Sequence, residues 1–133
     1  MVVVSSECVP VGSEADIVAI RRRVRETSAR LGFTLVDQTK VVTAASELAR
    51  NTLIHGGGGE MELTTLNGPR VGIRLSFQDK GPGIPDIQLA LRDGFTTGSG
   101  LGLGLGGAKR LVNEFELTSR VGEGTRVTIT RWK

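Results

Sequence analysis

Apolar positions recur first at helical spacing and then in strand-like alternation. Ile17, Ile20, Val24 and Leu31 follow Ser13, which is placed to cap a helix with Asp16 three residues on, and Gly32 marks its stop. Asp37 is the expected cap of a second helix, buried along Val41, Val42, Ala45, Leu48, Ala49 and Thr52. On that helix Glu47, Asn51 and His55 succeed one another at intervals of four and share another face. Gly56-Gly57-Gly58-Gly59 ends it. Val2-Val3-Val4 reads as a short first strand. Glu60–Leu66 and Val71–Asp79 read as strands joined by the turn Asn67-Gly68-Pro69-Arg70.

In the second of these strands Val71, Ile73, Leu75 and Phe77 alternate to one side, and Asp79 continues their phase. A carboxylate therefore points towards the core layer where the strand breaks at Gly81-Pro82-Gly83. A buried carboxylate needs donors, which marks Asp79 as a reader of a polar ligand. Asp86–Arg92 predicts a short helix, and Ala108 to about Glu114 a further one. Phe115–Arg120 and Thr125–Trp132 predict an antiparallel pair around Val121-Gly122-Glu123-Gly124. This order implies an α+β fold in residues 1–133, read as one domain. It is a two-layer sandwich of one mixed, mostly antiparallel sheet with helices on one face.

Glycine changes the picture. The 19 glycines gather at Gly56–Gly59, Gly81–Gly83, Gly94–Gly107 and Gly122–Gly124, so they mark loops. The run Gly98-Ser99-Gly100-Leu101-Gly102-Leu103-Gly104-Leu105-Gly106-Gly107 leads into a helix. Bare amides at a helix N-terminus favour an anion such as phosphate. No G-x-x-x-x-G-K-[ST] loop occurs. Gly102–Gly107 satisfies G-x-G-x-x-G, but it comes late in the chain and before antiparallel strands, which argues against a dinucleotide fold.

Charge and cysteine exclude other classes. The net charge is +3 and aromatics are 4% of the chain, too few for nucleic-acid stacking platforms. Arg21-Arg22-Arg23-Val24-Arg25 reads as a solvated helix face, so no nucleic-acid partner is expected. The single cysteine, Cys8, allows no intramolecular disulfide. Val2–Val4 is too short an apolar run for a signal or a span, so the cytoplasm is expected, with no membrane partner.

Four motifs occur in order, each on the element it needs. They are E-x-x-x-N at Glu47–Asn51 on a helix, D-x-G-x-G at Asp79–Gly83 after a strand, Gly100–Leu105 before a helix, and G-x-G-T at Gly122–Thr125 between strands. Together they resemble the ATP-binding domain shared by gyrase, histidine kinases and MutL, the Bergerat or GHKL fold, over nearly the whole chain. The resemblance implies ATP and Mg²⁺ as cofactors. It makes Asn51 the metal ligand and Glu47 the catalytic group that orients or deprotonates an attacking hydroxyl. Asp79 would accept from the adenine amino group. Gly81 and Gly83 would leave room for the base beside Ile84, with Thr125 near it and His55 in the pocket wall. The backbone of Gly100, Leu101, Gly102, Leu103 and Gly104 would hold the phosphates. An arginine on the γ-phosphate would be Arg92 or Arg110.

Five further blocks are similar to the bacterial switch kinases and anti-sigma factors, and to the RsbT type in particular. They are Asp16–Ala19, Ser46–Asn51, Gly81–Ile87, Asp93–Thr97 and Lys109–Leu111. Gly106 departs from the family, where proline is common. The lid between Asp93 and Ser99 is short. This resemblance implies a serine/threonine protein kinase acting on STAS-domain proteins of the stressosome, of RsbS and RsbR type. Once released, the kinase would bind and activate an RsbU-like phosphatase. Two competing readings are an anti-sigma factor that sequesters a sigma factor, and a nucleotide-dependent partner switch without catalysis.

Overall fold

The computed structural model of the chain describes residues 2–84, 86–91 and 104–133. In chain order these form β1 (Val2–Val11), α1 (Glu14–Arg30), α2 (Leu35–Ile54), β2 (Gly59–Asn67), β3 (Gly72–Asp79), α3 (Ile87–Ala90), α4 (Gly104–Arg110), β4 (Glu114–Arg120) and β5 (Gly124–Trp132). The five strands make one sheet in the order β1-β2-β3-β5-β4. Residues 85 and 92–103 lie outside the described residues, and with them the expected lid, Arg92, and the phosphate-binding residues Gly100, Leu101, Gly102 and Leu103.

The sheet was expected to be mixed, yet every ladder between described strands is antiparallel. The connection explains this. One helix between two strands returns the chain in the starting direction and favours parallel pairing. Here α1 and α2 are packed against each other through a short link, so β2 starts at the end where β1 finished. The strands β3 and β4 do run the same way, but β5 lies between them.

Register sorts the side chains. Met61, Phe77, Val127 and Leu117 face one another across β2, β3, β5 and β4, and the next row is Leu63, Leu75, Ile129 and Phe115. These rows join Ile17, Ile20, Val24, Val41, Ala45 and Leu48 of the helices in one core. Complete burial of an aliphatic chain such as Ile20 contributes about 1.5–3 kcal/mol. The opposite phase of the sheet is polar: Ser76 and Thr128 pair at 3.0 Å, Arg126 Nε donates to Ser76 Oγ at 3.1 Å, and Arg74 Nε donates to Thr130 Oγ1 at 3.1 Å. The helices therefore occupy one face.

Local chemistry sets the element ends. Ser13 caps α1 as expected, accepting from the Asp16 amide at 3.2 Å. The arginine run of α1 is divided: Arg23 binds Glu7 of β1 and lies 3.7 Å from Glu26, while Arg21, Arg22 and Arg25 are exposed. The cap of α2 is Thr34, not Asp37, because the Thr34 hydroxyl accepts the Asp37 amide at 3.1 Å and the helix starts at Leu35. β1 runs well past Val4 because its strand pairs with β2 as far as Val11, and a register shift between Val3 and Ser5 breaks its sequence alternation. α4 starts earlier than expected, at Gly104, and stops at Arg110 rather than near Glu114. Asn113 is taken up by β5 instead: its amide donates to Thr130 O at 3.0 Å and its side chain accepts from the Trp132 amide at 2.7 Å.

Asp37, freed from capping, accepts from Arg131 Nη2 at 2.7 Å, while Arg131 Nη1 donates to Leu111 O at 3.2 Å. This one arginine ties the start of α2 to the chain after α4. Its hydrogen bond and charge hold the Asp37 carboxyl below the usual carboxylate range, against the opposing effect of burial. A depressed carboxyl contributes stability above its unfolded pKa of about 3.9, and loses it as pH falls through the lower folded value. Asp37→Asn should therefore melt earlier than the native chain at neutral pH, with the two curves converging in acid. A gap between melting temperatures that stays constant from pH 7 to pH 3 would remove this assignment.

Candidate functional site

Asp79 is the last residue of β3, and the strand's phase turns it towards the helices. Its Oδ1 accepts two backbone amides, from Gly81 at 2.9 Å and from Thr125 at 3.2 Å. Its Oδ2 receives no hydrogen bond among the described residues. One oxygen is thus committed to holding the loops, and the other lies beside Gly56 without such a bond.

Glycine makes this approach possible at two points. A Cβ on Gly56 would lie 2.3 Å from the Asp79 carboxyl carbon. Gly124 has φ +122°, and a Cβ there would lie 2.2 Å from Asp79 O. The D-x-G-x-G loop and the G-x-G-T turn are therefore one packed unit, closed further by the Gly122 amide donating to Pro82 O at 2.8 Å. Gly124→Ala combines a strained φ with a backbone collision and should cost about 3 kcal/mol or more. Gly57→Ala is the control, because Gly57 has φ +73° but open space around it. Equal denaturation midpoints for the two variants would show that backbone conformation alone matters at position 124.

Asp79 lies on the wall of a cavity of about 470 Å³. Of the residues singled out from sequence, Asn51, His55, Asp79, Gly83, Ile84, Gly104 and Thr125 line it. Gly81 does not. Its amide holds Asp79. Glu47 is also off the described wall. It lies one turn before Asn51 on α2 and is buried at 7% exposure, so it is no solvated surface acid. The sequence reading missed the apolar wall, Leu48, Phe77, Ala90, Leu105 and Val127; Leu48 and Phe77 read from sequence as core alone, and all five do belong to the core. It also missed Asp86 in the wall and Ser119 behind it. Ser119 was legible in principle, since it continues the inward phase of Phe115 and Leu117.

The wall combines a mostly apolar lining with a few polar groups, the pattern of a small-molecule site. Among the described residues no three His, Cys, Asp or Glu side chains come together to hold a metal. A cation here would have to bring ligands with it. The amide oxygen of Asn51 fits that demand, because Mg²⁺ keeps waters and phosphate oxygens and takes few protein ligands.

Among the described residues no helix is long and apolar enough to cross a membrane. The family described as histidine kinase-, DNA gyrase B-, and HSP90-like ATPase matches residues 36–133. The serine/threonine-protein kinase RsbT of Bacillus subtilis is 44% identical over 126 residues, covering 94% of this chain and 95% of that protein. An anti-sigma F factor of a Thermoanaerobacter species is 30% identical over 117 residues, covering 84% and 82%. Among solved structures, the RsbU and RsbW domains of a Mycobacterium tuberculosis protein share the fold with a TM-score of 0.66 at 21% identity, over 97% of this chain and 33% of that one. The SiaB–SiaC complex of Pseudomonas aeruginosa shares it with a TM-score of 0.58 at 12% identity, over 98% and 91%. The chain belongs to the histidine kinase-, DNA gyrase B- and HSP90-like ATPase family, and within it to the RsbT-type serine/threonine-protein kinases.

Proposed function

We propose that the chain transfers the γ-phosphate of ATP, with Mg²⁺, to a serine or threonine of STAS-domain proteins of RsbS and RsbR type. Released from them, it binds and activates an RsbU-like phosphatase, all in the cytoplasm. The observation that carries this reading is the end-to-end identity of 44% with an RsbT kinase, joined to a cavity that gathers Asn51 and Asp79.

Each residue then has a task. Asp79 Oδ2 accepts a hydrogen bond from the adenine amino group while the apolar wall receives the ring. Gly83, Ile84 and Thr125 border the base, and His55 closes the wall beside Asn51. Asn51 would hold Mg²⁺ through its amide oxygen, and the ion, when bound, supplies neutralising charge at the phosphates. Glu47, one turn earlier on the same helix, orients the substrate hydroxyl and receives its proton as the oxygen attacks the γ-phosphorus in line, the bond to the β–γ bridging oxygen breaks and ADP leaves. Gly104 opens α4, and the amides preceding it would complete the phosphate cradle.

The test combines the purified protein, Mg²⁺, γ-labelled ATP and a STAS-domain protein encoded near it. Label on a serine or threonine of that protein is the expected result. Tight nucleotide binding without transfer overturns the kinase reading. A second reading, a sequestering anti-sigma factor, draws on the 30% identity with anti-sigma F factors. Stable complex formation with a purified sigma factor would favour it.

A further inference from the structure

We infer that Ser119 fixes which hydrogen-bonding groups the cavity offers a purine, and so is a positioning residue for nucleotide specificity. The inference rests on the nucleotide-site reading above. Ser119 ends the inward row of β4, directly across from Thr125 of β5. Its Oγ accepts the Ile84 amide at 2.7 Å, lies 3.0 Å from Thr125 Oγ1 and lies 3.3 Å from Gly124 O. It therefore joins both loops that enclose Asp79.

Proton accounting gives the direction. A hydroxyl has one proton and two lone pairs. The Ile84 amide can only donate and the Gly124 carbonyl can only accept. All three contacts of Ser119 are satisfied together when its proton goes to Gly124 O and its lone pairs receive the Ile84 N–H and the Thr125 O–H. Thr125, which lines the cavity, then has its proton turned towards Ser119 and keeps only lone pairs for a ligand. Asp79 Oδ2 also offers only lone pairs. This end of the cavity is thus built of acceptors. It suits the 6-amino group of a purine, which donates, and opposes a 6-oxo group, which can only accept.

Removing the Ser119 hydroxyl releases the Thr125 proton, which is then free to turn towards a 6-oxo group. The test is the affinity of ATP and of inosine triphosphate, measured by calorimetry for the native chain, Ser119→Ala and Ser119→Thr. The native chain should prefer ATP. Ser119→Ala should narrow that preference about tenfold, the range of one net hydrogen bond. Ser119→Thr keeps a hydroxyl and should restore it. Equal loss of affinity for both triphosphates in Ser119→Ala, or an unchanged ratio, overturns the inference, because a purely structural role moves both alike. Should Ser119→Ala unfold, Thr125→Val removes the other half of the pair and should narrow the same ratio, and an unchanged ratio there is equally fatal. A native chain that binds neither triphosphate overturns the nucleotide reading itself, a failure distinct from that of Ser119.

Discussion

Asn51→Ala should bind ATP without magnesium as the native chain does, yet transfer phosphate at least about a thousandfold more slowly, a loss of several kcal/mol of charge stabilisation. The side chain of Asn51 lines the cavity and makes no hydrogen bond among the described residues, so its removal orphans no partner there. Asn51 also sits inside α2, where asparagine is a poorer helix former than alanine. The variant should therefore be more stable than the native chain, by up to about 0.7 kcal/mol. Opposite signs on stability and activity separate a functional side chain from a structural one. A thermal melt and a single-turnover labelling assay on the same preparation read both. Transfer at the native rate would move the metal ligand elsewhere.

Asp79→Asn should lower ATP affinity on the order of a hundredfold, about 2.7 kcal/mol. The substitution is nearly isosteric. Its carbonyl oxygen can still accept from Gly81 and Thr125, so the loop unit stays closed. What changes is the other terminus, which becomes an NH₂ facing the amino group of adenine. A donor then meets a donor, and a desolvated polar group is left unpaired. Inosine triphosphate, with an acceptor at that position, should lose much less. Fluorescent-nucleotide titration in competition with both triphosphates measures the pair. If both affinities fell together with the melting temperature, Asp79 would be acting through the fold alone.

Much of this was legible in the chain because it is local. Ser13 caps α1 through a hydroxyl three residues from its partner amide, and the alternation of Ile73, Leu75 and Phe77 correctly placed Asp79 at the inward end of β3. The ordered motifs placed most of the cavity's polar wall. What escaped was relational. Thr34 takes the helix start through the Asp37 amide, and the Asp37 carboxylate finds its partner in Arg131, 94 residues away in sequence. β1 hides its length because a register shift interrupts its alternation. Gly56 looked like a helix stop, but its bare Cα is also what admits the Asp79 side chain. Ser119 carries no motif, and its importance exists only once β4 and β5 are side by side.

The position of β5 between β3 and β4 has a consequence for how the site comes into being. It is the last strand in chain order, yet it fills an interior slot of the sheet, so β3 and β4 have no direct contact to hold them until it arrives. The amide that fixes Asp79 belongs to Thr125, at the start of that strand. β5 is joined to β4 by a local turn, but its pairing with β3 is nonlocal and carries a larger loop-closure cost than the hairpin of β2 and β3. During folding, a chain in which β5 has not yet joined β3 has an Asp79 that is not aimed. Ligand recognition is therefore a readout of completed assembly, and intermediates lacking that strand should remain blind to nucleotide.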